Sequence, residues 1–154
     1  MRLYLVQHAK AKSKDVDPQR PLTEEGRRDI KKVAEFIEPL NLCVDYLWHS
    51  GKTRAAQTAE ILAEVIETSK EMTAHEGLAP NDDVTAIRDE ITSAQQDILI
   101  VGHLPFVGKL ASLLLTGSES SNVVAFKQGG IVCLERTDGN RWQIDWMITP
   151  ELLG

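Results

Sequence analysis

The stretch of sequence that decides the fold is Asp97-Ile98-Leu99-Ile100-Val101-Gly102-His103-Leu104-Pro105. Its apolar run has no polar alternation, which is typical of a strand buried on both faces of a parallel sheet. Pro105 suits the first turn of a helix, because proline fixes φ at a helical value and because backbone N–H groups in the first turn have no partner within the helix, so nothing is lost when one is missing. We therefore predict a strand over 97–101 and a helix from Pro105 to about Leu115, joined by a short turn.

The same alternation of strand and helix runs along the whole chain. Apolar runs and turn residues predict further strands at 2–7, 44–48, 71–75, 130–136 and 141–148, the last two joined by the hairpin turn Asp138-Gly139. Helical spacing predicts helices at 53–67 and 83–94, and another from its N-cap, Thr23, to about Glu38. The pattern predicts an α/β fold: a three-layer sandwich in which helices flank a mostly parallel central sheet, formed by a single domain over 1–154.

Composition narrows the class of protein. The 154 residues are 42% hydrophobic and carry a net charge of -6, which argues against nucleic acid as a general partner. Residues 1–32 nevertheless hold nine Lys/Arg against five Asp/Glu, and such a cationic segment can attract a small anion. No run approaches the ~20 apolar residues of a membrane span, and the first residues lack the features of a signal peptide. We expect a cytoplasmic monomer with no membrane partner.

The cysteines and histidines give no sign of a metal or cofactor site. Cys43 and Cys133 lie far apart and have neither metal-ligand nor redox spacing, so we expect buried, reduced thiols. The four histidines lie in separate segments without partner Cys or carboxylate patterns; they are His8, His49, His75 and His103. The sequence therefore predicts metal-independent chemistry without a cofactor.

Three predicted strands end in a polar turn that carries a residue able to handle phosphate. Strand 2–7 is followed by His8, strand 44–48 by a turn that leads to Arg54, and strand 97–101 by Gly102 and His103. Because the carboxyl ends of parallel strands meet at one edge of the sheet, we expect these side chains to converge there. Two of the turns also open helices, whose free N–H groups favour an anion. The arrangement predicts a phosphate cradle.

The three side chains suit different parts of a phosphoryl transfer. The neutral imidazole of His8 can attack phosphorus, and the planar fork of Arg54 matches two phosphoryl oxygens. His103, if protonated, adds a donor to the charge that develops on those oxygens. Taken singly, each of the three is more often a structural or solvated residue. Their shared position at one edge is what favours an active site.

At these residues the sequence resembles the histidine phosphatase superfamily, and specifically its short SixA-like branch with a phosphoglycerate mutase-like fold. The matching blocks occur in the family's order and span nearly the whole chain, at 3–11, 20–26, 50–59, 78–83 and 101–105. The resemblance implies a phosphohistidine intermediate on His8, with Arg54 and His103 binding the phosphoryl group. It also implies that Arg20 contacts the substrate. The alternative interpretation is that Arg20 is an exposed arginine of the loop without such a role. The implied substrate is phosphohistidine on a protein, such as a histidine-containing phosphotransfer domain.

One departure from the family's motif concerns the residue before the nucleophile, where Gln7 replaces an arginine. Glutamine can contact the substrate through its amide but has no charge and no guanidinium fork. Losing one charge-assisted clamp costs about 3 kcal/mol, or a hundredfold or more in rate. Lys10 or Lys12 can restore part of the positive potential. Gln7 therefore leaves open an enzyme of reduced activity, or an inactive phosphate-binding pseudophosphatase.

A second departure concerns the general acid that larger members of the family use to protonate an alkoxide leaving group. The corresponding region, 76–83, has no clear match, and Glu76 is a weak candidate whose alternative is a surface carboxylate. A phosphohistidine releases an imidazole that can already be protonated, so it does not need such an acid. The sequence thus favours phosphohistidine, with a small phosphate ester as an alternative substrate.

Overall fold

The computed structural model describes all residues from 1 to 154 and contains one large sheet of six strands. In spatial order the strands are β5 (Thr73–Ala74), β3 (Tyr46–His49), β6 (Ile98–Gly102), β1 (Arg2–Gln7), β7 (Ile131–Thr137) and β8 (Arg141–Ile148). The first four are mutually parallel, β7 is antiparallel to β1, and β8 is antiparallel to β7. The predicted α/β fold with a mostly parallel sheet is confirmed.

Helices cover both faces of this sheet. The four α-helices are α1 (Glu24–Ile37), α2 (Thr53–Ala63), α3 (Val84–Ala94) and α4 (Phe106–Thr116). Tyr4 and Val6 of β1 pack in one apolar core with α1 and α2, whereas Leu3 and Leu5 pack in a second core with α3 and α4. Alternate side chains of the central strand therefore enter opposite layers, as the pleat of a strand requires.

The register of the two central strands determines where the candidate site residues lie. Leu3 pairs with Ile98, and the pairing continues to Gln7 opposite Gly102, so β1 and β6 end side by side. The backbone N–H of His8 then donates to the Gly102 carbonyl over 3.0 Å. The residues that follow the two strands, His8 and His103, consequently start from adjacent positions at one edge.

Local capping explains where two of the helices begin. The Thr23 hydroxyl accepts a hydrogen bond from the Gly26 N–H over 2.9 Å, which confirms Thr23 as the N-cap of α1. Gly26 also lets the loop after β1 cross this helix closely, because a Cβ there would lie 2.2 Å from the Lys10 carbonyl oxygen. Asp83 caps α3 in the same way, accepting from the Thr85 N–H over 2.9 Å.

The structure corrects two predicted elements between residues 43 and 68. The predicted strand 44–48 is divided at Asp45 into β2 (Cys43–Val44) and β3, because Asp45 turns to bond both the N–H and the C=O of Asp97. The helix predicted to reach residue 67 ends at Ala63, since β4 (Glu67–Thr68) pairs with β2 in a separate two-stranded sheet.

One cysteine also differs from its prediction. Both thiols are free, but only Cys133, on a central part of β7, is buried. Cys43 is exposed, because β2 lies outside the large sheet and its side chain points towards Glu67, with 3.6 Å between Sγ and Oε2. No helix is long and apolar enough to cross a membrane.

Candidate active site

The ring of His8 is held in one tautomer by the backbone carbonyl of the next residue, Ala9. Its Nδ1 lies 2.7 Å from the carbonyl oxygen of Ala9, an acceptor, so Nδ1 carries the hydrogen and donates it. The lone pair of the neutral ring is therefore on Nε2. That tautomer is the one needed for attack by Nε2 on an electrophile.

Burial keeps this ring neutral. Only 7% of His8 is exposed, and the loss of solvation lowers its pKa to about 4. The hydrogen bond to the Ala9 carbonyl acts in the opposite direction, and the nearby charges of Arg54 and Arg20 lower the pKa further. Near neutral pH, His8 is therefore an uncharged imidazole.

The second histidine of the predicted site lies directly beside the first. The ring centroids of His8 and His103 are 5.0 Å apart and the ring planes make an angle of 54°. His103 is 2% exposed, and burial lowers its pKa to about 3, followed by the effects of His8 and the surrounding cations. It is thus neutral in the free protein, and a phosphoryl dianion beside it raises its pKa again.

The predicted arginine completes this cluster from the first turn of α2. Arg54 is half-buried, and its positive charge lowers the pKa of both histidines. Burial and the charge of Arg20 lower its own pKa, yet at neutral pH the guanidinium remains charged. The structure therefore brings together the two imidazoles and the guanidinium that the sequence predicted.

Arg20 reaches the same cluster from the loop between β1 and α1. Its φ of 48° is left-handed, a conformation that costs a non-glycine residue about 1–3 kcal/mol unless its surroundings impose it. Two contacts impose it here: the Arg20 N–H donates to the Asp17 carbonyl over 2.9 Å, and the guanidinium Nε donates to the Lys12 carbonyl over 3.1 Å. The charge of Arg20 lowers the pKa values of His8, Arg54 and His103.

Unpaired polar atoms concentrate at this edge of the sheet. Five buried side-chain polar atoms in the chain lack a hydrogen-bond partner, and three of them belong to Gln7, Arg54 and His103. They are Gln7 Oε1, Arg54 Nε and His103 Nδ1. Since buried polar groups are nearly always hydrogen-bonded, this concentration marks the edge as a binding site for a polar ligand.

Of the two lysines expected to add positive potential, one is already paired. Lys10 is engaged in an ion pair with Glu25, with 2.6 Å between Nζ and Oε2, so its charge is partly neutralised. Lys12 is exposed and makes no ion pair. Lys52, which the sequence reasoning did not single out, is close enough to lower the pKa of His103.

Two further residues connect the parts of the site. The Ser50 hydroxyl lies 2.6 Å from Nε2 of His103. The Thr58 hydroxyl accepts from the Ala9 N–H over 3.0 Å and donates to the Arg54 carbonyl over 2.8 Å, so it joins the loop after His8 to helix α2. Both residues lie in the block 50–59, and the spacing of four between Arg54 and Thr58 was the only signal available in the sequence.

The other two histidines and Glu76 lie outside the cluster. His49 Nδ1 accepts from the Gly51 N–H over 3.0 Å and so stabilises the turn after β3. His75 stacks on Trp48, with 4.1 Å between ring centroids, and its Nε2 lies 2.9 Å from a carboxylate oxygen of Glu90. Glu76 is exposed and its carboxylate makes no hydrogen bond or ion pair. No three His, Cys, Asp or Glu side chains lie close enough together to hold a metal ion.

Comparisons with known sequences match this chain to one family. A family model described as the histidine phosphatase superfamily (branch 1) matches residues 3–80. An uncharacterized protein of Picosynechococcus sp. is 33% identical over 141 residues, which cover 87% of this chain and 84% of that protein.

Solved structures share the fold over nearly the full length. The protein histidine phosphatase SixA, complexed with tungstate, has a TM-score of 0.87 at 21% identity and 100% coverage of both chains. The alpha-ribazole phosphatase from Shigella flexneri has a TM-score of 0.78 at 15% identity, covering 97% of each chain. A phosphoserine phosphatase mutant from Entamoeba histolytica, in complex with phosphoserine, has a TM-score of 0.71 at 16% identity, covering 97% and 98%. These similarities confirm the predicted phosphoglycerate mutase-like fold.

Proposed function

Because this chain belongs to the histidine phosphatase superfamily, we propose that it hydrolyses phosphohistidine on a protein partner, through a covalent phosphoryl intermediate on His8. Membership of the superfamily implies phosphatase activity in general. The observation that carries the finer proposal is the state of His8, a neutral imidazole whose Nδ1 bonds the Ala9 carbonyl and whose ring lies beside His103 and near the charges of Arg54 and Arg20.

In the first step, the lone pair on Nε2 of His8 forms a bond to phosphorus while the phosphorus–nitrogen bond of the substrate breaks. The departing imidazole keeps the electron pair of that bond and takes a proton from solvent. Phosphorylated His8 still carries its Nδ1 hydrogen, so the ring is cationic, and the Ala9 carbonyl at 2.7 Å stabilises that N–H. A cationic ring is a good leaving group for the next step.

In the second step, water attacks phosphorus and the bond to Nε2 breaks. The electron pair returns to Nε2, which restores the neutral ring, and the proton of the water passes to solvent. Arg54 offers its fork to two phosphoryl oxygens, and His103 donates through a ring N–H. Arg20 adds a second positive charge, while Gln7 offers an amide without charge.

The surroundings of the site favour phosphohistidine over a phosphate ester. An alkoxide leaving group benefits from a positioned acid, but the carboxylate of Glu76 is exposed and makes no hydrogen bond or ion pair. An imidazole leaving group has no such need. Small phosphate esters remain the second candidate, since a phosphoserine phosphatase and an alpha-ribazole phosphatase share the fold.

The test compares wild type and His8→Ala on a purified, phosphorylated histidine phosphotransfer domain. We expect wild type to remove the phosphate and His8→Ala to have no activity. His75→Ala is the matched control, because this histidine follows β5 of the same sheet but lies against Trp48 rather than His103, and it should retain activity. Equal rates for wild type and His8→Ala would refute the proposal.

Two further measurements separate the alternatives. A label on His8 that is stable in alkali and labile in acid identifies the phosphohistidine intermediate. A panel of sugar, nucleotide and amino-acid phosphates tests the ester hypothesis, and higher turnover of an ester than of phosphohistidine would replace the proposed substrate. Binding of the phosphoprotein without any turnover would instead indicate a pseudophosphatase.

A further inference from the structure

A cavity that the proposed reaction does not use begins at the residues that follow His103 in the chain. It has a volume of about 300 Å³ and lies between the first turns of α4 and the segment 119–122 that follows this helix. Leu104 and Pro105, the two residues after His103, form its near wall. Since consecutive Cα atoms are about 3.8 Å apart, the cavity begins within about 8 Å of His103 along the chain.

Two exposed apolar side chains belong to the lining of the cavity or directly follow it in the chain. Leu104 is 44% exposed and rests on Gly108, where a Cβ would come within 3.3 Å of its Cδ2 atom. Val123, which follows the cavity-lining Asn122, is 51% exposed. Apolar surface next to a concave site is a common feature of protein interaction surfaces.

A buried hydroxyl at the cavity points to a ligand that accepts a hydrogen bond. Ser112 lines the cavity, is 1% exposed, and its Oγ has no hydrogen-bond partner in the protein. A buried hydroxyl without a partner costs about 1–3 kcal/mol, which an acceptor entering the cavity recovers. This observation is independent of the exposed apolar residues.

The charges that line the cavity do not favour a ligand of either sign. Lys109 and Glu119 both line it, and neither forms an ion pair within the protein. The potentials of the positive and the negative charge largely cancel in the cavity, so neither sign of ligand charge is favoured. The chemistry that fits is therefore an uncharged side chain with an apolar stem and an acceptor near its end.

We propose that this cavity is a subsite for one side chain of the phosphoprotein substrate, an uncharged residue near the phosphohistidine that inserts beside Leu104 and bonds Ser112. This inference rests on the proposed function and deepens it, because it makes the protein part of the substrate, and not only the phosphoryl group, a source of binding energy. A partner that extends from His8 past Leu104 reaches the cavity. A small phosphoryl compound does not.

The experiment compares two substrates, a phosphorylated histidine phosphotransfer domain and phosphoramidate, which has the same type of bond but no side chain. Ser112→Ala removes the hydroxyl at nearly constant volume, and Ser120→Trp fills the cavity from its exposed wall. We expect both variants to lower kcat/KM on the phosphoprotein about tenfold, the equivalent of one hydrogen bond, through KM. Turnover of phosphoramidate should stay unchanged.

Ser118→Trp is the matched control, because Ser118 lies on the same exposed segment but does not line the cavity, and it should behave as wild type. Unchanged kcat/KM on the phosphoprotein in both variants overturns the subsite, as does an equal loss on both substrates. If wild type hydrolyses neither substrate, the proposed function fails. The affinity of the phosphoprotein for the same variants then decides the subsite, and an unchanged Kd overturns it.

Discussion

Replacing Thr58 by valine should distinguish a role of this residue in positioning His8 from a role in the stability of the fold. The Thr58 side chain is fully buried, and its hydroxyl accepts from the Ala9 N–H over 3.0 Å and donates to the Arg54 carbonyl over 2.8 Å. Valine has nearly the same shape but can do neither. Thr58→Ser is the matched variant, because it keeps the hydroxyl and loses only a methyl group.

The structure allows both effects to be estimated. In Thr58→Val the Ala9 N–H, which is buried, loses its partner, at a cost of about 1–3 kcal/mol in the free energy of unfolding. Thr58→Ser loses one buried methyl group, at a cost of about 1 kcal/mol. For a chain of this size each kcal/mol lowers Tm by about 2–4 °C, so Tm should fall by about 2–12 °C in Thr58→Val and by about 2–4 °C in Thr58→Ser.

The effect on activity should differ much more than the effect on stability. Ala9 directly follows His8 and its carbonyl holds the ring, so a freed Ala9 amide allows the nucleophile to move relative to Arg54. A displacement of about 1 Å can cost about a hundredfold in rate. We expect kcat to fall about 10–100-fold in Thr58→Val and to stay within about threefold of wild type in Thr58→Ser.

The assay measures kcat and KM on the phosphorylated phosphotransfer domain together with thermal unfolding of each protein. The discriminating result is a low kcat in Thr58→Val, but not in Thr58→Ser, at a temperature at which both variants are fully folded. If the two variants have equal kcat, Thr58 has only a structural role and the positioning argument is wrong.

Three further predictions follow from the pKa values and contacts of the site. Burial lowers the pKa of His8 to about 4 and that of His103 to about 3, from an ordinary 6.5, so below pH 6.5 the unfolded chain binds protons that the folded chain does not. The free energy of unfolding should therefore fall as pH drops from 6.5 towards 4, and above 6.5 it should be insensitive to both rings. His8→Gln should make this fall shallower in urea titrations, and an equally steep fall in the variant contradicts the prediction. Ser50→Ala removes the hydroxyl at 2.6 Å from His103 Nε2 and should lower turnover roughly tenfold, with rescue in Ser50→Thr; turnover equal to wild type in Ser50→Ala means that the contact is dispensable. Gln7→Arg restores a charged clamp and should raise turnover about a hundredfold, and a rate that does not change shows that the glutamine is not what limits the enzyme.

Much of the fold was predictable because its signals are local. The apolar run 98–101, the Thr23 cap and the Asp138-Gly139 turn each act through neighbours in the chain, and all three appear in the structure as predicted. The errors occurred where a distant partner decided the outcome. Asp45 interrupts a strand because it bonds Asp97, and helix α2 ends at Ala63 because the chain beyond it returns to pair with Cys43 and Val44.

The candidate site likewise contains residues that were predictable from the sequence and residues that were not. His8, Arg54 and His103 were predictable as neighbours, since parallel strands place their carboxyl ends at one edge. Ser50, Lys52 and Thr58 were not singled out, because a hydroxyl or an ammonium in a loop or a helix has no local signal of what it will contact.

By itself, the sequence determined the order of strands and helices and the residue types that leave each strand at its carboxyl end, because backbone preference and the alternation of apolar residues depend on nearby residues. Only the tertiary structure decided that His8 is neutral with its hydrogen on Nδ1, that Thr58 joins the loop after His8 to Arg54, and that a cavity begins next to His103. The physical reason is that desolvation, hydrogen-bond geometry and cavity shape arise from atoms that come together only when remote segments pack.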